Sequence, residues 1–199
     1  MTLTAAILLA SERHAAFDAP LALTPWIEQD TLIEWRIAKL VAAGVRDIVV
    51  VLGYEAQRVL PLVTGDNVEA IIDARWANGP ASSLRVGASA VPRGTTTALI
   101  LDIAQPRSAA LCRAMLDAHE TCGSAITRAA RDGVPCTPVV VDEAALAALR
   151  HFTGDGGLDA FVAGYAGSVV DVSVEGDEAL VRIDAPADVE AARVALGVR

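Results

Sequence analysis

The chain has 199 residues, 53% of them hydrophobic and 21% charged, with a formal net charge of -9. That balance suits one α/β domain over residues 1–199 and argues against nucleic acid as a partner, because neutralising phosphates needs a basic face. The apolar runs are strand-length, so no membrane span is expected, and the N-terminus lacks the basic start of a signal peptide.

Three cysteines, Cys112, Cys122 and Cys136, form an odd set without C-x-x-C spacing, which fits reduced thiols in a cytoplasm better than a disulfide framework or a zinc site. Among 16 basic residues Lys39 is the only lysine.

Apolar runs alternate with helical patterns, as in βα units around a mainly parallel sheet. Ala5 to Ala10 is predicted as the first strand. Thr31 with Glu34 three residues on is a capping box, opening a helix that ends at Gly44 with Leu32, Ile33, Ile37, Leu40 and Val41 on its apolar stripe. Val45 to Leu52 reads as a strand buried on both faces. A helix over 55–63, a strand over 68–72, a helix over 82–91 and a strand over 98–103 follow. Beyond Pro106 a helix runs to about His119, then a strand over 124–128, strands over 139–141 and 169–174, and helices over 143–150 and 158–163. Glu175-Gly176-Asp177 between two alternating runs predicts a small antiparallel hairpin over 174–183, and a last helix starts after Pro186.

Five segments in order carry a resemblance: Pro25–Tyr54, "ARWANGPASSLRVGASAV" from Ala74, "ALILDIAQP" from Ala98, "TGDGG" from Thr153, and "VRIDAPADVEAA" from Val181. Together they resemble the MobA-like nucleotidyltransferases, which include the molybdenum-cofactor guanylyl- and cytidylyltransferases. The resemblance implies a Rossmann-like fold and attack of a phosphate on the α-phosphorus of CTP or GTP, with molybdopterin as acceptor and Mg²⁺ held by a carboxylate. Such chemistry needs a glycine-rich cradle, cations and a metal ligand.

At those points the sequence departs from the pattern. Aligned without gaps, the glycines of the family's first loop fall on Glu12 and Asp18, its arginine on Ala16 and its lysine on Leu21; its metal aspartate falls on Ala104, two residues after Asp102. The Gly-His-Pro element reads Cys136-Thr137-Pro138, the first aspartate of the closing motif is Arg182 while Asp184 stays, and Asp159 stands for an arginine. What the resemblance leaves as nucleotide contacts is Ala10, Ser11, Arg13, Ser82 and Ser83, with Asp102 and Asp184 as candidate catalytic carboxylates and Asp102 as metal ligand.

Each has a plainer reading. Arg13 is then a solvated loop residue, Ser82 and Ser83 are helix N-caps, and Asp102 pairs with an arginine or caps a helix. The expectation is a chain that keeps the fold and has lost or much reduced the reaction, binding a small ligand in the old cleft or acting as a homo-oligomer or beside a partner enzyme. A divergent active transferase, using Mg²⁺ with CTP or GTP, is the alternative.

Overall fold

The computed structural model describes residues 3–198. Its strands are β1 (Thr4–Ala10), β2 (Pro25–Ile27), β3 (Asp30–Thr31), β4 (Asp47–Leu52), β5 (Val68–Ile72), β6 (Thr97–Asp102), β7 (Ile126–Arg131), β8 (Val134–Asp142) and β9 (Val169–Ser173). The helices are α1 (Leu32–Ala42), α2 (Ala56–Val59), α3 (Pro80–Ala90), α4 (Ala109–Cys122), α5 (Glu143–Leu149), α6 (Leu158–Gly164) and α7 (Asp188–Ala195). Among the described residues no helix is long and apolar enough to cross a membrane.

Seven strands form one sheet in the order β5-β4-β1-β6-β8-β7-β9, and β2 pairs with β3 apart from it. Strands β5, β4, β1 and β6 run parallel; β8 is antiparallel to both β6 and β7, and β9 lies parallel to β7. Alternation along the central strands supplies both faces. Ala6, Leu8, Leu99 and Leu101 meet α1 and α4 on one side, whereas Ala5, Ile7, Ala98 and Ile100 meet α3, α5 and α6 on the other. The predicted α/β architecture is thus present, with helices on both faces of a mostly parallel sheet.

Local signals explain where elements begin and end. Glu34 accepts from the Thr31 backbone N–H at 2.9 Å, and Gly44 at φ 79° closes α1 with bonds from Gly44 N–H to Val41 O and Val45 N–H to Leu40 O. Val41, predicted on the buried stripe, is 57% exposed. Arg36, one turn after Leu32, lies inside instead.

The hairpin predicted over 174–183 is absent. Gly176 leads into a 3-10 turn over Asp177–Leu180, and the Ile183 N–H bonds Ala104 O instead of returning along β9. A tight hairpin instead joins β7 to β8 through Asp132-Gly133, both with positive φ, as the two-residue Asp-Gly turn requires.

Gly87 lets α3 approach the sheet: a Cβ there would sit 2.5 Å from Ile7 Cγ2 and 3.0 Å from Val51 Cγ2. Alanine normally gains about 1 kcal/mol over glycine inside a helix, but overpacking against fully buried Ile7 costs about 1–3 kcal/mol. Gly87→Ala is therefore expected to lower stability on balance. Urea unfolding at unchanged m-value checks this, and a more stable variant would refute the tight fit.

Candidate active site

Strand order reverses beside β1: the chain moves outward through β4 and β5, then crosses to β6 on the other side. Ligands of open α/β sheets bind at such a switch point, outside the carboxyl ends of the strands. A cleft of ≈ 200 Å³ lies there, with Ser11 and Glu12 after β1 and Asp102 at the end of β6. Ser83, Thr137, Asp159 and Arg182 close its other walls.

The first loop is clamped where it leaves the sheet. The Tyr54 N–H donates to Ser11 O at 2.8 Å. Gly53 permits this approach, since a Cβ there would lie 2.6 Å from the same oxygen. Ser11 is 2% exposed and its hydroxyl bonds that of Ser83 at 2.7 Å.

Behind the two serines stands Asp73, 2% exposed, which the sequence reading did not single out. Ser82 Oγ donates to one carboxyl oxygen at 3.0 Å and Ser83 Oγ to the other at 2.9 Å, while the Arg75 N–H also donates at 2.9 Å. Ser82 and Ser83 are therefore not N-caps. The N-cap is Gly79, with Pro80 in the first helical position. The missed signal was an aspartate just past the carboxyl end of β5, ahead of the serine-bearing α3.

The charged residues of the first loop divide. Glu12 lines the cleft, whereas Ala16 and Asp18 line a separate groove beside Arg193. Asp18 thus brings no charge to the site, contrary to its alignment with a phosphate glycine. The Arg13 guanidinium lies 5.5 Å from the Tyr54 ring centroid, a cation–π contact, and Arg13 is not among the cleft's lining residues. Ala10 is 7% exposed and can offer the cleft only backbone. Leu21, in register with the family's lysine, is 1% exposed in the core. Lys39 sits in the last turn of α1 and stacks over Trp35.

Asp102 faces the cleft, while Ala104, where the gap-free alignment puts the metal aspartate, is fully buried. One Asp102 oxygen accepts from the Ala104 N–H at 2.7 Å, so the carboxyl closes its own turn and forms none of the ion pairs. Asp184 is outside the lining; it accepts from Arg182 Nε at 2.7 Å and so orients the arginine that does reach the cleft.

Burial raises the Glu12 carboxyl above its ordinary 4.5, and the Asp102 charge adds to this while His14 and Arg182 oppose it. In the window between the ordinary and raised values the folded chain keeps a proton that the unfolded chain releases. Stability therefore falls as pH rises through that window. Glu12→Gln is expected to melt above the parent chain at pH 7, with the gap closing near pH 4. A gap independent of pH would remove the effect from Glu12.

The wall carrying Arg182 is held from beneath by Arg107, 1% exposed. Its Nε donates to Thr137 O at 2.9 Å, Nη1 to Pro106 O and Val181 O, and Nη2 to Ala179 O at 2.7 Å. Arg36 stands beside it, donating to Arg107 O at 3.3 Å. Burial pulls both guanidiniums down to about 10, and for Arg107 the neighbouring Arg36 charge pulls the same way.

The sequence profile of the MobA-like NTP transferase domain matches residues 6–170. The chain belongs to this family. No curated protein is similar enough to count as a relative. Rv0371c from Mycobacterium tuberculosis H37Rv superposes with a TM-score of 0.81 at 21% identity over 96% of this chain and 97% of that one, and has also been solved as a complex with manganese. A nucleotidyl transferase from Methanothermobacter gives 0.79 at 20% identity over 96% of each chain. Molybdopterin-guanine dinucleotide biosynthesis protein A from Archaeoglobus fulgidus gives 0.69 at 17% identity over 94% and 96%. These likenesses establish the nucleotidyltransferase fold for this MobA-like chain across both sheet faces.

Proposed function

We propose that this MobA-like protein holds a small ligand in the switch-point cleft and has lost, or much reduced, nucleotidyl transfer. The observation that carries the reading is the charge of the lining: Glu12, Asp102 and Asp159 against Arg182. Transfer from a nucleoside triphosphate needs its oxygens met by cations and backbone donors, and facing carboxylates repel them. The ≈ 200 Å³ cleft is also smaller than the about 300–1,000 Å³ of ordinary small-molecule sites.

A divalent cation would be held by Glu12 and Asp102, whose charges already act on one another. Mg²⁺ is commonly bound through one or two carboxylates plus substrate phosphates, and a cation would relieve the Asp102 repulsion that adds to burial in lifting Glu12. Bound there, it would neutralise phosphate charge. Among the described residues no group of three or more His, Cys, Asp or Glu gathers for a metal, so the protein's share of such a site is small.

One observation favours a second reading, a divergent active transferase: Asp102 faces the cleft, so the carboxylate missing at Ala104 is present two residues earlier. The manganese complex of Rv0371c is in keeping with a cation in this fold. Calorimetric titration with CTP and GTP, each with and without Mg²⁺, and pyrophosphate release with molybdopterin as acceptor separate the two. The expected result is no pyrophosphate release. Release that Asp102→Asn abolishes would overturn the proposal in favour of the transferase.

A further inference from the structure

On the outer side of α3, away from the cleft, residues 82, 85, 86 and 89 fall at i, i+3, i+4 and i+7 and share one face. With Ile71 of β5 and Arg150 after α5 they line an open groove of ≈ 420 Å³. Arg75 joins Arg85 and Arg150 there, and no acidic residue is among the lining. This is unusual on a chain of net charge -9, where random placement would mix acids with bases.

Among the described residues seven other arginines meet a carboxylate, whereas these three form no ion pair. Two are aimed by the backbone. Arg85 Nη1 donates to Phe152 O at 2.6 Å. Arg150 Nε donates to Ala88 O at 2.9 Å, a carbonyl in the last turn of α3 that has no partner within the helix. Each anchor spends one of five N–H donors and fixes the plane of the fork, the preorganisation that lets arginine grip phosphate bidentately.

Asp73, behind Ser82, has its oxygens already taken by Ser82, Ser83 and the Arg75 N–H. Ile71, Val86 and Ala90 give the groove an apolar side.

We infer that this groove is a second ligand site, separate from the cleft, which takes a small molecule bearing a phosphate or diphosphate group. The arginine forks hold the phosphate oxygens and the apolar side receives the rest of the molecule. Ser82 lines the groove and donates to the carboxyl that Ser83 shares on the cleft side, so the two sites meet at Asp73.

Inorganic pyrophosphate titrated into the full chain at low ionic strength, without Mg²⁺, is the direct test. Saturable binding is expected, weakened about tenfold or more by Arg75→Ala and by Arg150→Gln and left unchanged by Arg182→Ala in the cleft. Arg75→Ala is the cleaner variant, because among the described residues its guanidinium braces nothing, and its melting temperature should match the parent's. Absence of binding overturns the inference. So does binding lost in Arg182→Ala but not in Arg75→Ala, or citrate binding as tightly as pyrophosphate, which would make the groove a general anion surface.

Discussion

Replacing Arg107 with methionine is expected to cost about 3–5 kcal/mol, because several buried carbonyls lose their donor at once. The side chain has a comparable apolar length, so little cavity is left. What is lost is the donor set: Thr137 O, Pro106 O, Val181 O and Ala179 O all accept from this one guanidinium. The desolvation that pulls Arg107 down to about 10 opposes its burial, and the Arg36 charge beside it adds to the strain. Relief of both offsets part of the loss. The orphaned carbonyls still dominate, because each buried polar group left without a partner costs about 1–3 kcal/mol. Arg107→Lys should recover little, since an ammonium cannot reach four carbonyls on three segments as the planar fork does. Urea unfolding of both variants is the measurement. A methionine variant as stable as the parent would show that those carbonyls need no donor, and that the Arg182 wall stands without Arg107.

Much of the fold was legible because its signals are local and redundant. Thr31 with Glu34 marks a start, Gly44 marks a stop, and continuous runs such as Asp47–Leu52 fit strands buried on both faces. The hairpin falls elsewhere than predicted because Gly176-Asp177 resembles turn chemistry, while Asp132-Gly133 is the stronger signal. Which residues pair across a sheet depends on contacts far along the chain. Ile183 finds Ala104 and not β9, and no spacing rule contains that choice.

The site was legible by residue type but not by direction. Of the residues singled out, Ser11, Ser83 and Asp102 line the cleft, whereas Ser82 lines the groove on the other side of α3. Their partners were not foreseen, because Asp73 and Arg107 look in sequence like ordinary polar residues near a strand end and a proline. Leu21 and Ala104 show the opposite error: counting placed them at phosphate and metal positions, yet both face the core. Lysine or aspartate introduced there would bury a charge without a partner and would test the fold before it tested the chemistry.

Asp73→Ala is expected to cost about 3 kcal/mol, chiefly through its hydroxyl and amide donors. The Ser82 and Ser83 hydroxyls and the Arg75 N–H would all lose a buried acceptor. The carboxyl also stands at the start of α3, where the helix dipole favours negative charge, an effect of about 0.3–1 kcal/mol or somewhat more when partly buried. Asp73→Asn keeps the shape but turns one acceptor into a donor facing a serine hydroxyl, which can rotate to accept. It should fall between the parent and alanine. The consequence reaches the cleft, because Ser83 holds Ser11 at 2.7 Å, and Ser11 anchors the first loop through its carbonyl. With Asp73 gone, Ser83 has no fixed orientation and the first loop loses its side-chain tether to α3. Amide hydrogen exchange would then rise at Tyr54, whose N–H bonds Ser11 O, more than at β4 core positions such as Val50. Equal exchange at both would mean that the stability loss is global and that Asp73 supports the helix alone.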